Sequence, residues 1–476
     1  MGGLFANLTS SAVALSAFER SLEVAQNNVS NASTAGYAKQ LPTLDALPFQ
    51  VQSGLIGGVR AGDPQSTRNE FLEQGVRYQA GLLGNYQAQS QALSGIEPIF
   101  DVTGQTGILA SLNNMFQSFS AWSASPDSAA ARQDVLAKAQ DLGASFQQTI
   151  SVISSAADSI DNQIGSSVSQ INALAAQVAS YNYQQSQGTG SDAGLDAHLH
   201  DTLETLSGVA GVTARFETDG SVTLLLGGQT PLVIGTKQYA LTTSSFDTGV
   251  AVNANARPAV HILDASGQDV TANVSSGSLA GLLNVRNTVI PGLEGDSQQA
   301  GSINLIAKQV ADRVNQLLAS GKDPAGNAGT PLFTYDASSA VSAARTLSIN
   351  PNITGDTLAA LDPGPPQVAN GIALTLAGLG QSTAAGDTIN GKSIQDYLNA
   401  QTQILGQQSA TASANQTAAQ QSVTQAQALR TQASGVSLDE EAVRVMELQR
   451  GYQSISKMIS VINGLADTLL AMVPSA

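Results

Sequence analysis

The sequence predicts a mainly α-helical protein with a β-rich insertion: terminal helices forming a coiled coil, a long helical-bundle rod and a small inserted β domain. Three observations carry this. Apolar residues recur every seven positions at both ends of the chain. The same heptads return between Ile150 and Tyr181. Between Val212 and Leu263 the pattern shortens to strand-like runs separated by turn residues.

At the N-terminus Leu8, Leu15, Leu22 and Val29 lie seven residues apart. Leu4, Phe18, Ala25 and Ala32 fill most of a second seam, with Ser11 as its weak position. Such seams need a partner helix to leave water. Residues 34–67 are punctuated by Pro42, Pro48, Gly54, Gly57, Gly58 and Pro64 and read as a connector. From Asn69 to about Gln187 the period is helical, with a break around Gly95 to Gly107. Asp127 or Ser125 is placed to cap a helix starting at Ala129.

From Ile150 the seams are Ile150, Ala157, Ile164, Ile171 and Val178 against Ile153, Ile160, Leu174 and Tyr181. An antiparallel helical bundle is the preferred reading of this stretch. Composition shifts at Gly188, after which Asp196 to Leu206 reads as a short helix. Val212–Phe216, Val222–Leu226, Leu232–Ile234, Tyr239–Thr242 and Val260–Leu263 read as strands. Asp219-Gly220, Gly227-Gly228 and the run from Asp264 to Gly267 supply turns. Ser278 to Leu318 is helical again, a mixed stretch runs to about Gly391, and Ile394 to Ser434 is one polar helix. Its seam of Leu405, Ala412, Ala419, Ala426 and Ala433 is small and demands close packing.

The last helix, from Ser437, places Leu438, Val445, Tyr452, Ile459 and Ala466 on one seam. Leu448, Ile455, Ile462 and Leu469 form the other. Ser437 and Glu440 fit a capping box, and Asp439, Glu440 and Glu441 suit the positive end of the helix dipole. Arg444, Arg450 and Lys457 read as its solvated or subunit-facing side. The two terminal helices pair with each other or with the same helices of neighbouring subunits, an ordinary intramolecular bundle being the plainer alternative. The division is then residues 1–67 and 435–476 as a terminal domain with its connector, 68–187 and 277–434 as the helical rod, and 188–276 as the β-rich insertion.

The net charge is −16, which argues against nucleic acid and anionic membrane partners. Only 12% of residues are charged, and small polar residues fill the surface instead, which suits packing against copies of the same chain and also suits some disordered chains. Without cysteine there is no disulfide, thiol catalysis or cysteine-ligated metal. Residues 1–17 carry no Lys or Arg and do not resemble a cleaved secretory signal. No segment reads as a membrane span, Met458 to Val473 being interrupted by Asn463, Gly464 and Asp467.

Chemistry is sparse. His198, His200 and Asp201 offer a metal-like set, but two histidines two residues apart point to different sides of a helix, so a surface or linker role is preferred. Asp264 to Asp269 is too short for a calcium loop and lacks its distal Glu. No phosphate loop, dinucleotide fingerprint or nucleophile elbow is present, so the expected cofactor, metal and catalytic residues are none.

The run from Asn27 through Asn28, Asn31, Gly36 and Tyr37 to Gln40 resembles the N-terminal motif of the flagellar axial proteins, the rod, hook and hook-associated family. The run from Ser434 to Ala442, followed by Leu448-Gln449-Arg450-Gly451-Tyr452-Gln453, resembles the family's C-terminal motif. Ala35 stands where the family usually has Pro, leaving Gly36 to supply the unusual backbone angles. Ser278 to Arg286 resembles the family's re-entry into the helical domain, with Asn287 where Asp is common. A long helical region after the connector, rather than strands, directs the resemblance to the hook-associated proteins that join hook to filament. It implies a structural adaptor, not an enzyme, exported without cleavage and residing outside the cell. The implied partners are further copies of the chain in a ring or helical layer, the hook protein, the next hook-associated protein, and an export chaperone on the C-terminal helix. Leu8, Leu15, Phe18, Leu22, Val29, Leu438, Val445, Leu448, Tyr452, Ile455, Ile459, Ile462 and Leu469 become the expected assembly interface. A hook or distal-rod protein, or a secreted adhesin or enzyme on axial-type termini, stands as the alternative.

Overall fold

In the computed structural model, which describes residues 2–50, 55–100, 106–188, 192–247 and 252–471, the two ends of the chain lie together. Helix α1 (Gly2–Ser30) leads into six short strands: β1 (Gln40–Leu41), β2 (Leu44–Ala46), β3 (Phe49–Gln50), β4 (Leu55–Ile56), β5 (Val59–Ala61) and β6 (Gln65–Ser66). They pair antiparallel in nested order, β1 with β6, β2 with β5 and β3 with β4. The connector is therefore one long hairpin, which the sequence did not announce as strands. Pro42, Pro48 and Pro64 lack the N–H a ladder needs, so the hairpin is cut into two- and three-residue pieces.

Helix α2 (Glu70–Ser94) starts at Asn69, whose side chain accepts from the N–H groups of Phe71 and Leu72. Helix α3 (Gly107–Ala124) follows, then α4 (Ala129–Ser186), which at 58 residues is about 87 Å long. Its cap is Ser128, which accepts from Ala131 N–H, rather than the expected Asp127 or Ser125. Most of the α4 heptads are borne out: Ile150, Ile153, Ala157, Ile160, Ile164, Ile171 and Val178 are buried, while Leu174 and Tyr181 are half-buried against the same core. Helix α5 (Ala193–Val209), capped by Asp192, is longer than expected.

Strands β7 (Val212–Phe216), β8 (Val222–Leu226), β9 (Thr230–Ile234) and β10 (Lys237–Gln238) make a four-stranded antiparallel sheet in the order 10-9-8-7. Strands β11 (Thr242–Phe246) and β12 (Ala259–Leu263) form a separate hairpin. Of the expected strand at Tyr239–Thr242, Thr242 opens β11, and residues 239–241 are instead the link between these two units. Both lie along α4, and their apolar faces share its core.

Helix α6 (Gly277–Asn284) runs through a π-turn, Val285–Val289, into α7 (Ile290–Glu294), and α8 (Ser302–Ser320) follows a sharp break. Strand β13 (Phe333–Thr334) pairs with β14 (Ser348–Ile349) around the short α9 (Ala343–Thr346). Helix α10 (Gly371–Gly378) packs on α3 and α8, and α11 (Ile394–Ser434) runs back along α2. Helix α12 (Leu438–Ala471), the last described element, packs against α1.

One device recurs where helices meet strands or loops. Asn172, Asn182, Asn287 and Asn315 each accept the backbone N–H and donate to the backbone C=O of a single residue: Leu241, Val222, Val260 and Phe333, at 2.7–3.0 Å. A carboxamide has both a donor and an acceptor, so it pairs with a peptide unit as another strand would. This accounts for Asn287, since a carboxylate has no donor for the Val260 carbonyl.

The continuous apolar core runs from Ala88 in α2 to Ala412 in α11 and includes no residue of α1 or α12. The connector carries the recorded polar contacts with the rod, Lys39 N–H with Ser434 C=O and Arg68 with Asp196.

Candidate assembly interface

α1 and α12 run antiparallel. Ser11 Oγ lies 3.7 Å from Met458 Sδ, and Asn28 Nδ2 lies 3.3 Å from Glu441 Oε2. Between these points the Phe18 ring sits against Gly451, where an added Cβ would fall 2.4 Å from it. Glycine at 451 thus sets the distance between the two helices.

The predicted seam residues divide between two faces. On α12, Val445, Leu448, Ile455, Ile459 and Ile462 are half-buried toward α1. Tyr452 is at the edge of the contact, Leu438 is 55% exposed, and the Leu469 side chain lies outside the described residues. On α1 the fully buried positions are Ser11, Ala17, Ser21, Val24, Ala25 and Asn28. Phe18 packs with them, while Leu8, Leu15 and Leu22 are only half-buried on the flank and Val29 is 41% exposed. The small-residue face of α1 is the one that meets α12, because a close approach favours Ala and Ser over Leu.

The N-terminal and C-terminal motifs form one polar network at the root of the pair. Asn28 repeats the peptide-mimicking pairing, donating to Gln40 C=O and accepting from Gln40 N–H, both at 2.9 Å. Its Oδ1 also accepts from the Tyr37 hydroxyl at 2.9 Å. Asn27 accepts from Asn31 Nδ2 at 2.7 Å and from Tyr37 at 3.3 Å. Lys39 lies 3.1 Å from Glu440 and 3.0 Å from the fully buried Glu441. Burial opposes the Lys39 charge, but its contacts with Glu441 and Glu440 outweigh that and hold its pKa above the ordinary value. Burial, with the nearby Glu441 charge, pushes Tyr37 up to about 12. Lys39 N–H also donates to Ser434 C=O at 2.9 Å, tying the connector to the end of α11. Ser437 caps α12 as expected, accepting from Glu440 N–H at 3.4 Å.

Gly36 has φ +71°, and a Cβ there would stand 2.2 Å from Ala197 O in α5. It serves both a left-handed turn and a backbone contact with α5. Arg68 fixes that contact. It donates to Gly36 O at 2.7 Å, Glu73 at 2.6 Å and Asp196 at 2.7 Å. Arg430 of α11 adds Glu73 at 3.3 Å and Glu204 at 2.5 Å. Four elements thus share one buried charge cluster.

His200 lies inside this cluster, 3% exposed and stacked on Phe216, which corrects its expected surface role. The helix turns it inward because α5 buries the face it shares with Leu199 and Leu203. Burial, then Arg68, Arg77 and Arg430, lower its pKa to about 2, so it is neutral. Among the described residues no group of three or more His, Asp or Glu is arranged to hold a metal ion. None of the described helices is long and apolar enough to cross a membrane.

Glu441, Arg68, Glu73, Asp196, Glu204 and Arg430 were not singled out as site residues from sequence. Glu441 stood inside the C-terminal motif but was read only as a dipole charge. The other five come from three stretches far apart in the chain, and nothing in their spacing joins those stretches.

Comparison with known proteins gives a consistent result. Residues 93–333 match the flagellar hook-associated protein FlgK helical domain, and residues 426–472 match the flagellar basal body rod FlgEFG protein C-terminal model. The chain is 24% identical to flagellar hook-associated protein 1 of Bacillus subtilis over 519 positions, covering 99% of this chain and 98% of that one. It is 26% identical to flagellar hook-associated protein 1 of Salmonella typhimurium over 361 positions, covering 72% of this chain but 62% of the relative. Its fold is similar to that of the flagellar hook junction protein FlgK from Burkholderia pseudomallei, with TM-score 0.64 and 15% identity over 77% of this chain and all of that one.

Proposed function

Because the chain belongs to the FlgK family of flagellar hook-associated proteins, we propose that it is an adaptor at the junction of hook and filament. It works by packing rather than by catalysis. The hook protein lies on one side and the next hook-associated protein on the other. Copies of the chain self-assemble through α1 and α12, outside the cell, after export without cleavage. Before export, the apolar pattern of α12 suits the groove of a chaperone.

The observation that carries this reading is the terminal pair. The motifs from the two ends close one polar network, and both helices still leave apolar residues exposed beyond their mutual contact. A helix pair with an unsatisfied apolar surface, held apart from the rod core, is built for further packing.

Electron microscopy of a deletion strain tests it. Hooks without stable filaments, with flagellin lost to the medium and filaments restored by the intact gene, are expected. Normal filaments in the deletion strain overturn the proposal. A chain carrying Ile455→Asp should fold its rod yet fail to restore filaments, since the charge falls on the half-buried seam.

A further inference from the structure

Arg77 of α2 is 9% exposed, and its guanidinium bonds through Nη2 to Glu70 at the surface. Its Nη1 is buried and has no partner among the described residues. Arg77 lines a cavity of about 180 Å³ between α2, the last turn of α5, the start of β7 and the turn before α6. Gln74, Thr213 and Ser276 line it too, and their side chains bond to no other described residue. Tyr78, 64% exposed, completes the lining. Phe71, 79% exposed, lies two turns back on the same face of α2, about 10 Å along the axis.

The backbone keeps this cavity in shape. A Cβ at Gly84 would stand 2.0 Å from Gly208 O, and one at Gly81 would stand 3.1 Å from Ser207 O. Helices α2 and α5 are thus already in close backbone contact, and the space beside them is set before anything enters it.

The chemistry of an occupant follows from what the walls leave unmet. Glu70 already balances the guanidinium charge, so Arg77 needs a further acceptor rather than an anion. A carboxylate there would also stand beside Glu70 in a chain of net charge −16. The side chains of Gln74, Thr213 and Ser276 each donate and accept. A molecule that meets them carries hydroxyl and amide groups close together on a small frame. The open Tyr78 ring suits an apolar C–H face on that frame. A sugar ring bearing an acetamido group has all of these features, and its carbonyl is a neutral acceptor.

We infer that this cavity binds a neutral N-acetylated hexosamine, one ring in the cavity and the next along α2 toward Phe71. The acetamido carbonyl accepts from Arg77 Nη1 after a small turn of the guanidinium, and the ring lies on Tyr78. The rod thereby holds an N-acetylated polysaccharide against its side, a role separate from assembly.

Calorimetric titration of the purified intact chain tests it. The probes are N,N′-diacetylchitobiose and cellobiose, which has the same linkage but hydroxyls in place of both acetamido groups. Diacetylchitobiose should bind at about 1 mM or tighter, and at least about tenfold better than cellobiose. Tyr78→Ala, at an exposed position, should weaken binding at least about tenfold and leave the melting of the chain unchanged. Arg77→Lys keeps a positive charge for Glu70 but loses the planar fork, and should abolish the preference for diacetylchitobiose. No binding up to about 10 mM, equal binding of cellobiose, or undiminished binding to Tyr78→Ala overturns the inference. Binding of hexaglutamate instead, lost in Arg77→Lys, would mark the cavity as a contact for an acidic protein segment and overturn it as well.

Discussion

Asn28→Asp is the sharpest probe of the terminal network. The substitution keeps the shape of the side chain but removes its donor and adds a charge. The donor now serves Gln40 C=O at 2.9 Å and Glu441 Oε2 at 3.3 Å. Two carboxylates 3.3 Å apart repel by about 5 kcal/mol at an effective dielectric constant of roughly 20. Losing the donor adds about 1–3 kcal/mol. Gln40 N–H and the Tyr37 hydroxyl still donate to the new carboxylate and offset part of this. A local loss of about 3–5 kcal/mol remains, enough to speed opening of the network at least about a hundredfold. Hydrogen exchange followed by mass spectrometry reads it at Lys39, Gln40 and the first turns of α12, with the rod as internal control. Unchanged exchange at those amides in Asn28→Asp at neutral pH would refute the account of how the motifs meet.

Gly36→Ala should destabilise the seat of the connector on α5 by at least about 1–3 kcal/mol, because φ is +71° and the new Cβ meets Ala197 O. Denaturant unfolding of the purified chain, followed at both the connector and α4, should show the connector loosened first. His200 sets a pH limit. Its folded value, about 2, lies below the ordinary 6.5, so the unfolded chain takes up the proton first. The stability it secures is complete above pH 6.5 and is lost as pH falls from there toward 2, by up to about 1.4 kcal/mol per unit. His200→Phe should flatten this slope in melts between neutral pH and about pH 4.5; an unaltered slope would exclude His200 as its source.

Periodic elements were the legible part of this chain. Ile150 to Val178 repeats its apolar positions often enough that only one face of a helix could be meant, and α11 ends at Ser434 where the sequence turns to Gly435. The connector was opaque for the opposite reason. Its prolines break a hairpin into pieces too short to show alternation, and its pairings run between residues as distant as Gln40 and Ser66. The heptads of α1 were visible, but they did not say which face meets α12. Leu8, Leu15 and Leu22 outweigh Ser11, Ala17 and Ser21 by hydrophobicity, yet the smaller set allows the closer approach. The charge cluster around Arg68 was beyond reach, since Asp196 and Arg430 are brought to it only by tertiary packing.

The paired carboxamides have a consequence for where this protein can work. Asn28, Asn172, Asn182, Asn287 and Asn315 fasten one element to another with neutral groups. Carboxamides do not titrate and attract no counterions, so the four fastenings of the rod, at Asn172, Asn182, Asn287 and Asn315, should hold alike in fresh water, brine or mild acid. Ion pairs in the same places would weaken with the salt content of the surroundings. On the export proposed above, the chain works in surroundings the cell does not buffer, and these joints need no buffer.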